Sequence, residues 1–371
     1  MTQNTPPVSA KTAERKKIFI KFIPPLTIFL VTLLVRYVAA ANERFADLFT
    51  LMVSHYFREF FAALTSLIPF SVTETVLILL VPTIALLFIV AAVRNLSLSK
   101  LLLFSAYALS LIIALQSLML GVSYSCTPLA SRLGLDTENI SIDDLKYCAS
   151  ALVDDVNMLS DSVSFDYGAS SRSDMTLDEL SDELVLAYEK LSQKFGFIRS
   201  FDSRIKPFII SDAVAALRIS GLYCYYTGEA NVSTTFPDYT VTYSAAHEMA
   251  HQRGFAKEDE ANFVAYLVSE CSDNAYIKYA SSLNLLQYLI NTLAVEDPEY
   301  CSELISRLDL RIRFEFSAYG EIYDKHSLGK LGDIMSNVND GVLKSQGVKS
   351  GEKSYSEVVK LAAAYFAVQN S

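Results

Sequence analysis

The stretch His247-Glu248-Met249-Ala250-His251, continued by Gly254 and then by Glu258-Asp259-Glu260-Ala261-Asn262, decides how this chain is read. Residues four apart share a helix face, so His247 and His251 present two imidazole nitrogens to one metal ion, with Glu248 one step round beside them. That spacing is the ligand geometry of a zinc hydrolase. The chain holds only four histidines, His55, His247, His251 and His326, and two of them fall in this motif. A catalytic zinc usually takes three protein ligands and leaves one position to water, so a third ligand is required.

Gly254 is a helix C-terminal signal, because glycine accepts the left-handed conformation that ends a helix. Beyond it, residues 257–274 read as a second helix. Glu258, Asp259 and Glu260 lie in its first turn, where the dipole favours acids, and Ala261, Val264, Leu267, Val268 and Cys271 follow at helical spacing. Glu258 and Asn262 share a face, and the small Ala261 allows close helix approach. Glu258 is the expected third ligand, with Asn262 orienting a ligand histidine through its outer ring N–H. Glu260, about 200° round the helix from Glu258, is the competing ligand. One catalytic Zn2+ is the cofactor that this donor set implies.

The two-helix pattern resembles the gluzincin branch of zinc metallopeptidases, whose third ligand comes from a Glu-x-x-Ala-Asn/Asp or similar helix after the His-Glu-x-x-His helix. More closely, the chain resembles domain-of-unknown-function family 3810, bacterial membrane proteins with a few N-terminal spans and a zincin-like domain. The residues that carry this are Phe70-Ser71 with Glu74, Thr127-Pro128-Leu129-Ala130, Gly228-Glu229-Ala230-Asn231, and the run from His247 through Asn262 with Phe263. The likeness covers roughly residues 20–368. It implies a membrane protein with three N-terminal transmembrane helices, followed by a mainly helical α+β zincin-like (gluzincin) domain with a small sheet. A proteolytic role is implied by the wider zincin group.

Outward from the motif, composition agrees with a membrane protein: half the residues are hydrophobic, concentrated in the first third. Residues 22–41, 72–93 and 101–122 are long and apolar enough to cross a hydrocarbon core. Residues 1–21 form a basic tail with Lys11, Arg15, Lys16, Lys17 and Lys21. This tail, with Arg94 and Lys100 in the second link, places the N-terminus in the cytoplasm and residues 124–371 outside it. Residues 1–123 carry 10 basic and 5 acidic side chains, the remainder 21 and 36. An acidic domain argues against nucleic acid as a partner and leaves the lipid bilayer and a peptide or protein substrate. Between the first two spans, residues 46–70 read as an interfacial amphipathic segment in which His55 is no ligand.

Within the domain, helices are expected at residues 141–159, at 176–196 behind the capping box Thr176-x-x-Glu179, at 283–295 as a buried core helix, at 302–319 and at 354–368. Residues 208–243 change period. Leu222 to Tyr226 and Tyr239 to Tyr243 are aromatic and β-branched, which reads as a small sheet or hairpin. Glu229 and Asn231 are candidate lining of a substrate cleft or turn residues. His326, Tyr319 and Tyr355 are candidate oxyanion stabilisers, with a surface position the simpler reading of His326. Five cysteines without a Cys-x-x-Cys pair indicate no structural zinc site. The function expected is a membrane-anchored, zinc-dependent metallopeptidase of the bacterial cell membrane, with Glu248 as general base. The alternative is a non-catalytic, zinc-stabilised scaffold or sensor that binds a peptide or cell-envelope ligand.

Overall fold

A computed structural model describes residues 19–166, 170–326 and 357–369, with side chains left aside for 322–326. The tail ahead of residue 19, Tyr355 and the His326 side chain, all singled out above, lie outside what is described.

Three helices are long and apolar enough to cross a membrane: Phe19–Ala41, Val72–Val93 and Leu98–Ser125. The first contains α1 (Ile23–Ala41), opened by Pro24 and Pro25, where proline costs a helix least. After α1 come α2 (Glu43–Phe49), a π-helical turn at Thr50–Ser54 and α3 (His55–Ser66). The second long helix is α4 (Val72–Val93), capped by the Ser71 hydroxyl on the Glu74 N–H at 3.0 Å. The third contains α5 (Leu98–Gln116) and continues through a π-helical turn at Ser117–Gly121 to a 3-10 turn at Ser123–Ser125. Helix α1 packs on α5. Most of the apolar surface of α4 faces outward, as a lipid-facing helix requires.

The remaining chain builds a mainly helical domain: α6 (Leu129–Leu133), α7 (Ile142–Ser160), β1 (Ser164–Phe165), β2 (Ser171–Arg172), α8 (Leu177–Lys194), β3 (Ile205–Pro207), α9 (Ser211–Ala216), β4 (Gly221–Cys224), β5 (Glu229–Val232), α10 (Asp238–Gln252), α11 (Glu258–Glu270), α12 (Ala275–Glu296), α13 (Pro298–Ser306), α14 (Leu310–His326) and α15 (Glu357–Gln369). Capping boxes start α7 (Ser141 with Asp144) and α8 (Thr176 with Glu179). The core is organised on α12, whose Leu283, Leu285, Leu286, Leu289 and Leu293 are fully buried against α7, α10, α11 and α15. The sheet order is β3-β5-β4, with β3 parallel and β4 antiparallel to β5, and Tyr223 opposite Ala230.

Two sequence expectations are corrected. Tyr239 to Tyr243 is the first part of α10, not a strand. Pro237 and Asp238 start a helix there, and burial of Tyr239 and Tyr243 in the helical core outweighs their strand propensity. The helix expected over 302–319 is two helices, α13 and α14. The Asp309 carboxylate takes the Arg311 N–H at 2.8 Å and its carbonyl takes those of Ile312 and Arg313, so a new helix starts there.

The spans and the domain are joined by buried polar contacts. Asp47 in α2 accepts from the Thr127 N–H at 3.0 Å and hydroxyl at 2.7 Å, and pairs with Arg132. Glu229 in β5 accepts from the backbone N–H groups of Val72 (3.0 Å) and Thr73 (2.6 Å) at the start of α4. It also pairs with Lys206 at 2.6 Å, and Lys206 in turn donates to the carbonyls of Thr65 and Phe70. Asn231 meets the Ser71 hydroxyl at 2.7 Å. Glu74 accepts from the Ile209 and Ile210 N–H groups, both at 2.8 Å. This corrects the placement of Glu229 and Asn231 in a substrate cleft. Both are almost wholly buried (1% and 0% exposed) and committed to the N-terminus of α4, where a carboxylate also matches the helix dipole.

Candidate metal centre

Helix α10 carries His247, Glu248 and His251 into the interior because nearly all of its remaining side chains are buried. The four-residue step stacks the two imidazoles on one face, ring centroids 4.6 Å apart and edge to face. The helix ends as its glycine demands. Gly254 takes φ +106°, its N–H reaches the His251 carbonyl, and the Phe255 N–H reaches Ala250. The reversal lays α11 against α10 and brings in Glu258, the first residue of α11.

Glu258 Oε2 lies 3.2 Å from His247 Nε2 and 3.5 Å from His251 Nε2. Ligands about 2.0 to 2.1 Å from a tetrahedral zinc stand about 3.3 Å from one another, so these two separations are compatible with such an ion, as they are with carboxylate–imidazole pairing. His251 Nδ1 is 2.6 Å from the Phe255 carbonyl, an acceptor only, so Nδ1 carries a proton and Nε2 is the nitrogen turned toward Glu258. A carbonyl of the turn after α10 thus does for His251 what Asn262 was expected to do. The Asn262 Oδ1 instead accepts from the hydroxyls of Tyr243 (3.1 Å) and Tyr288 (3.4 Å), and its amide nitrogen has no partner among the described residues. Asn262 thus sits behind the centre, bonded to tyrosines rather than to a histidine.

Glu260, the competing ligand, accepts from the Leu129 N–H at 3.0 Å and from Lys257 at 3.1 Å. It secures the start of α6 on the far side of α11, as its angular position dictates.

Glu248 is 6% exposed and held by the sheet. The Tyr223 backbone N–H favours its ionised form, and Gly221 leaves it room, since a Cβ there would stand 2.6 Å from Glu248 Oε1. Burial pushes the Glu248 carboxyl above the usual range, against the pull of His247 and His251. Burial acts the same way on Glu258, but the two histidines outweigh it and hold that carboxyl well below its ordinary value. For His251, burial lowers the pKa, yet Glu258 and Glu248 more than compensate and raise it to about 9. Two carboxylates converging on two imidazoles make a site that favours a bound positive charge.

Some site residues carry no sequence signal at long range. Gly221 and Tyr223 precede the motif by over twenty residues, and only a β-glycine against the helix would have hinted at them. Tyr124, at the end of the third long helix, lies within electrostatic reach of Glu258. The proposed oxyanion partner Tyr319 instead stacks on Phe236, ring centroids 5.8 Å apart. His55, expected at a lipid surface, is instead buried against Phe201 of the domain.

No curated protein and no solved structure matches the chain. A family model described as Protein of unknown function (DUF3810) matches residues 49–363, from the end of α2 into α15 and so through the whole candidate centre. The chain therefore belongs to that family of proteins of unknown function.

Proposed function

We propose that this protein is a membrane-anchored zinc-dependent metallopeptidase acting on exported or membrane-tethered proteins or peptides. The observation that carries the reading is that Glu258 Oε2 lies 3.2 Å from His247 Nε2 and 3.5 Å from His251 Nε2, while His247, Glu248 and His251 bring their own ligand atoms within 4.8 Å of one another. When bound, a zinc ion supplies Lewis acidity that activates water near neutral pH. The rest belongs to the chain's own residues. Glu248, placed by Gly221 and the Tyr223 N–H, takes the proton of the attacking water at its carboxylate and passes it to the leaving amine. The Phe255 carbonyl holds the His251 tautomer.

Strand β4 is at the edge of its sheet, beside Glu248, where an extended peptide adds through main-chain hydrogen bonds. Asp47 of α2, after the first long helix, meets Thr127 after the third and Arg132 of the domain, and the start of α4 meets Glu229, which supports a domain on one side of the bilayer. The basic tail and second link make the opposite side the cytoplasm. A non-catalytic scaffold would use the same ligands but give Glu248 no task.

The test is zinc content and hydrolysis of a peptide library by the full-length chain in detergent, wild type against Glu248→Gln, with a chelator control. Removing the spans would strip Glu229 and Asn231 of their partners, so the whole chain is used. Zinc in both and cutting by wild type alone supports the peptidase. Zinc in both and cutting by neither favours the scaffold; zinc in neither refutes the ligand set.

A further inference from the structure

Between the span ends and the domain lies a cavity of about 210 Å³ whose walls bring together Asp47, His55, Arg58, Arg132, Arg199 and Arg253. It shares no side chain with the candidate metal centre. Arg132 is paired with Asp47, but no carboxylate stands within ion-pair distance of Arg58, Arg199 or Arg253 among the described residues. Other acids lie in the neighbourhood: Glu260 lines the adjoining pocket with Arg132 and Arg253 but is bonded to Lys257 and the Leu129 N–H, Glu59 pairs with His55, and the exposed Asp202 acts on Arg253.

Two of these cations are buried. Arg58 is 1% exposed and donates only to backbone carbonyls, Met119 at 2.9 Å and Thr50 at 3.3 Å, one from each π-helical turn. Arg253, 4% exposed, donates to the carbonyls of Met249 and Phe201 and to Gln252, and lies over the Tyr188 ring at 4.0 Å. Buried guanidinium groups that lack a counter-charge are costly, and nearly always have one. Here Arg58 Nε, Arg253 Nε and His55 Nδ1 are all buried without a hydrogen-bond partner. His55 itself is kept neutral, first by burial and then by the surrounding guanidiniums, with its pKa lowered to about 4.

We propose that this cavity binds a phosphate-class oxyanion, which supplies the counter-charge that Arg58, Arg199 and Arg253 lack. Guanidinium forks match phosphate oxygens in pairs, which suits phosphate over a smaller or rounder anion. The volume equals roughly seven waters, room for a phosphate and part of what it is esterified to. Two sources share the chemistry: an anionic phospholipid headgroup and free phosphate. The wall segments, α2 with its π-helical turn and Thr127, directly follow the ends of the first and third long helices, which is headgroup depth.

The experiment uses the full-length chain. In nanodiscs of equal phosphatidylcholine and phosphatidylglycerol, native mass spectrometry reads the lipid retained. In neutral detergent, thermal melts compare sodium phosphate with sodium chloride at equal ionic strength. The variants are Arg58→Gln, the exposed Arg199→Gln, and Arg172→Gln as an exposed control away from the cavity. One retained phosphatidylglycerol per chain, weakened about tenfold by Arg199→Gln and unchanged by Arg172→Gln, supports the site with lipid as its source. A melt raised by phosphate with the same variant pattern, and no retained lipid, supports the site with free phosphate as its source. Arg58→Gln, if folded, weakens binding further; Arg199→Gln keeps the test valid if it is not. Retention of neither probe, or an Arg199→Gln equal to Arg172→Gln, overturns the proposal.

Discussion

Gly221→Ala moves the proposed general base without touching a ligand. An alanine Cβ at 221 would stand 2.6 Å from Glu248 Oε1, 2.7 Å from Cγ and 3.0 Å from Cδ. Ordinary contact is about 3.5 Å or more, so the carboxylate must retreat by roughly 0.5 to 1 Å. Its burial leaves little free room for that retreat, which also takes it away from the favourable field of the Tyr223 N–H. Displacement of a catalytic group by about 1 Å costs on the order of a hundredfold in rate, and the overpacking about 1 to 3 kcal/mol in stability. Gly221 has no positive φ, so the backbone itself accepts alanine. The expected result is near-wild-type zinc content, a modestly lower melting temperature and kcat reduced about a hundredfold. In a Glu248→Gln background the same substitution should cost nothing more in kcat, because both act through one carboxylate. An unchanged kcat in Gly221→Ala, or a further hundredfold loss on top of Glu248→Gln, would falsify the role given to this contact.

Glu258→Gln should empty the centre, read as zinc per chain after dialysis, while Glu260→Gln keeps the metal and loses about 1 to 3 kcal/mol through its weakened grip on the Leu129 N–H; equal zinc loss in both would return Glu260 to candidacy. Glu229→Ala leaves Lys206 buried without its counter-charge and the Val72 and Thr73 N–H groups without their acceptor, so the full-length chain should lose about 3 to 5 kcal/mol in a denaturant melt, and a loss below about 1 would contradict that junction. In the metal-free protein His251 has its pKa raised from 6.5 to about 9, so its contribution to stability is complete below about pH 6.5 and is lost as pH rises toward 9. Chelator-treated wild type should therefore melt lower at pH 9 than at pH 6.5, and the difference should shrink in His251→Ala; a flat profile refutes the coupling to Glu258. Glu258, held low, contributes in the opposite sense: its stabilisation is present above about pH 4.5 and fades as acid is added below that.

How much was legible in the sequence follows from the range of each interaction. The three apolar stretches appear as three long helices, because hydropathy over about twenty residues is a local property. The capping boxes at Ser141 and Thr176 start helices where expected, since both partners lie within one turn. His247, Glu248 and His251 converge because four residues make one turn, and Gly254 reverses the chain to bring Glu258 back. That Glu258 and Glu260 face different sides of α11 was within reach of helix geometry, yet the partner of Glu260, a backbone N–H 131 residues earlier, was not.

The remaining features belong to tertiary structure because their partners are distant in the chain. Glu229 and Asn231 sit among turn residues in sequence, but they hold a helix start some 160 residues away. Tyr239 to Tyr243 have strand propensity, and only the helical core that buries them makes α10 begin there. Arg58 and Arg253 look like ordinary charged residues near helix ends. Folding buries both beside a single cavity, because the span ends close over the back of the motif helix and nothing local announces that closure. The sequence alone was enough to place two histidines and a glutamate on one helix ahead of a glycine-terminated turn, because those relations are local; the packing of spans on domain decided which carboxylates and other polar groups stand beside them.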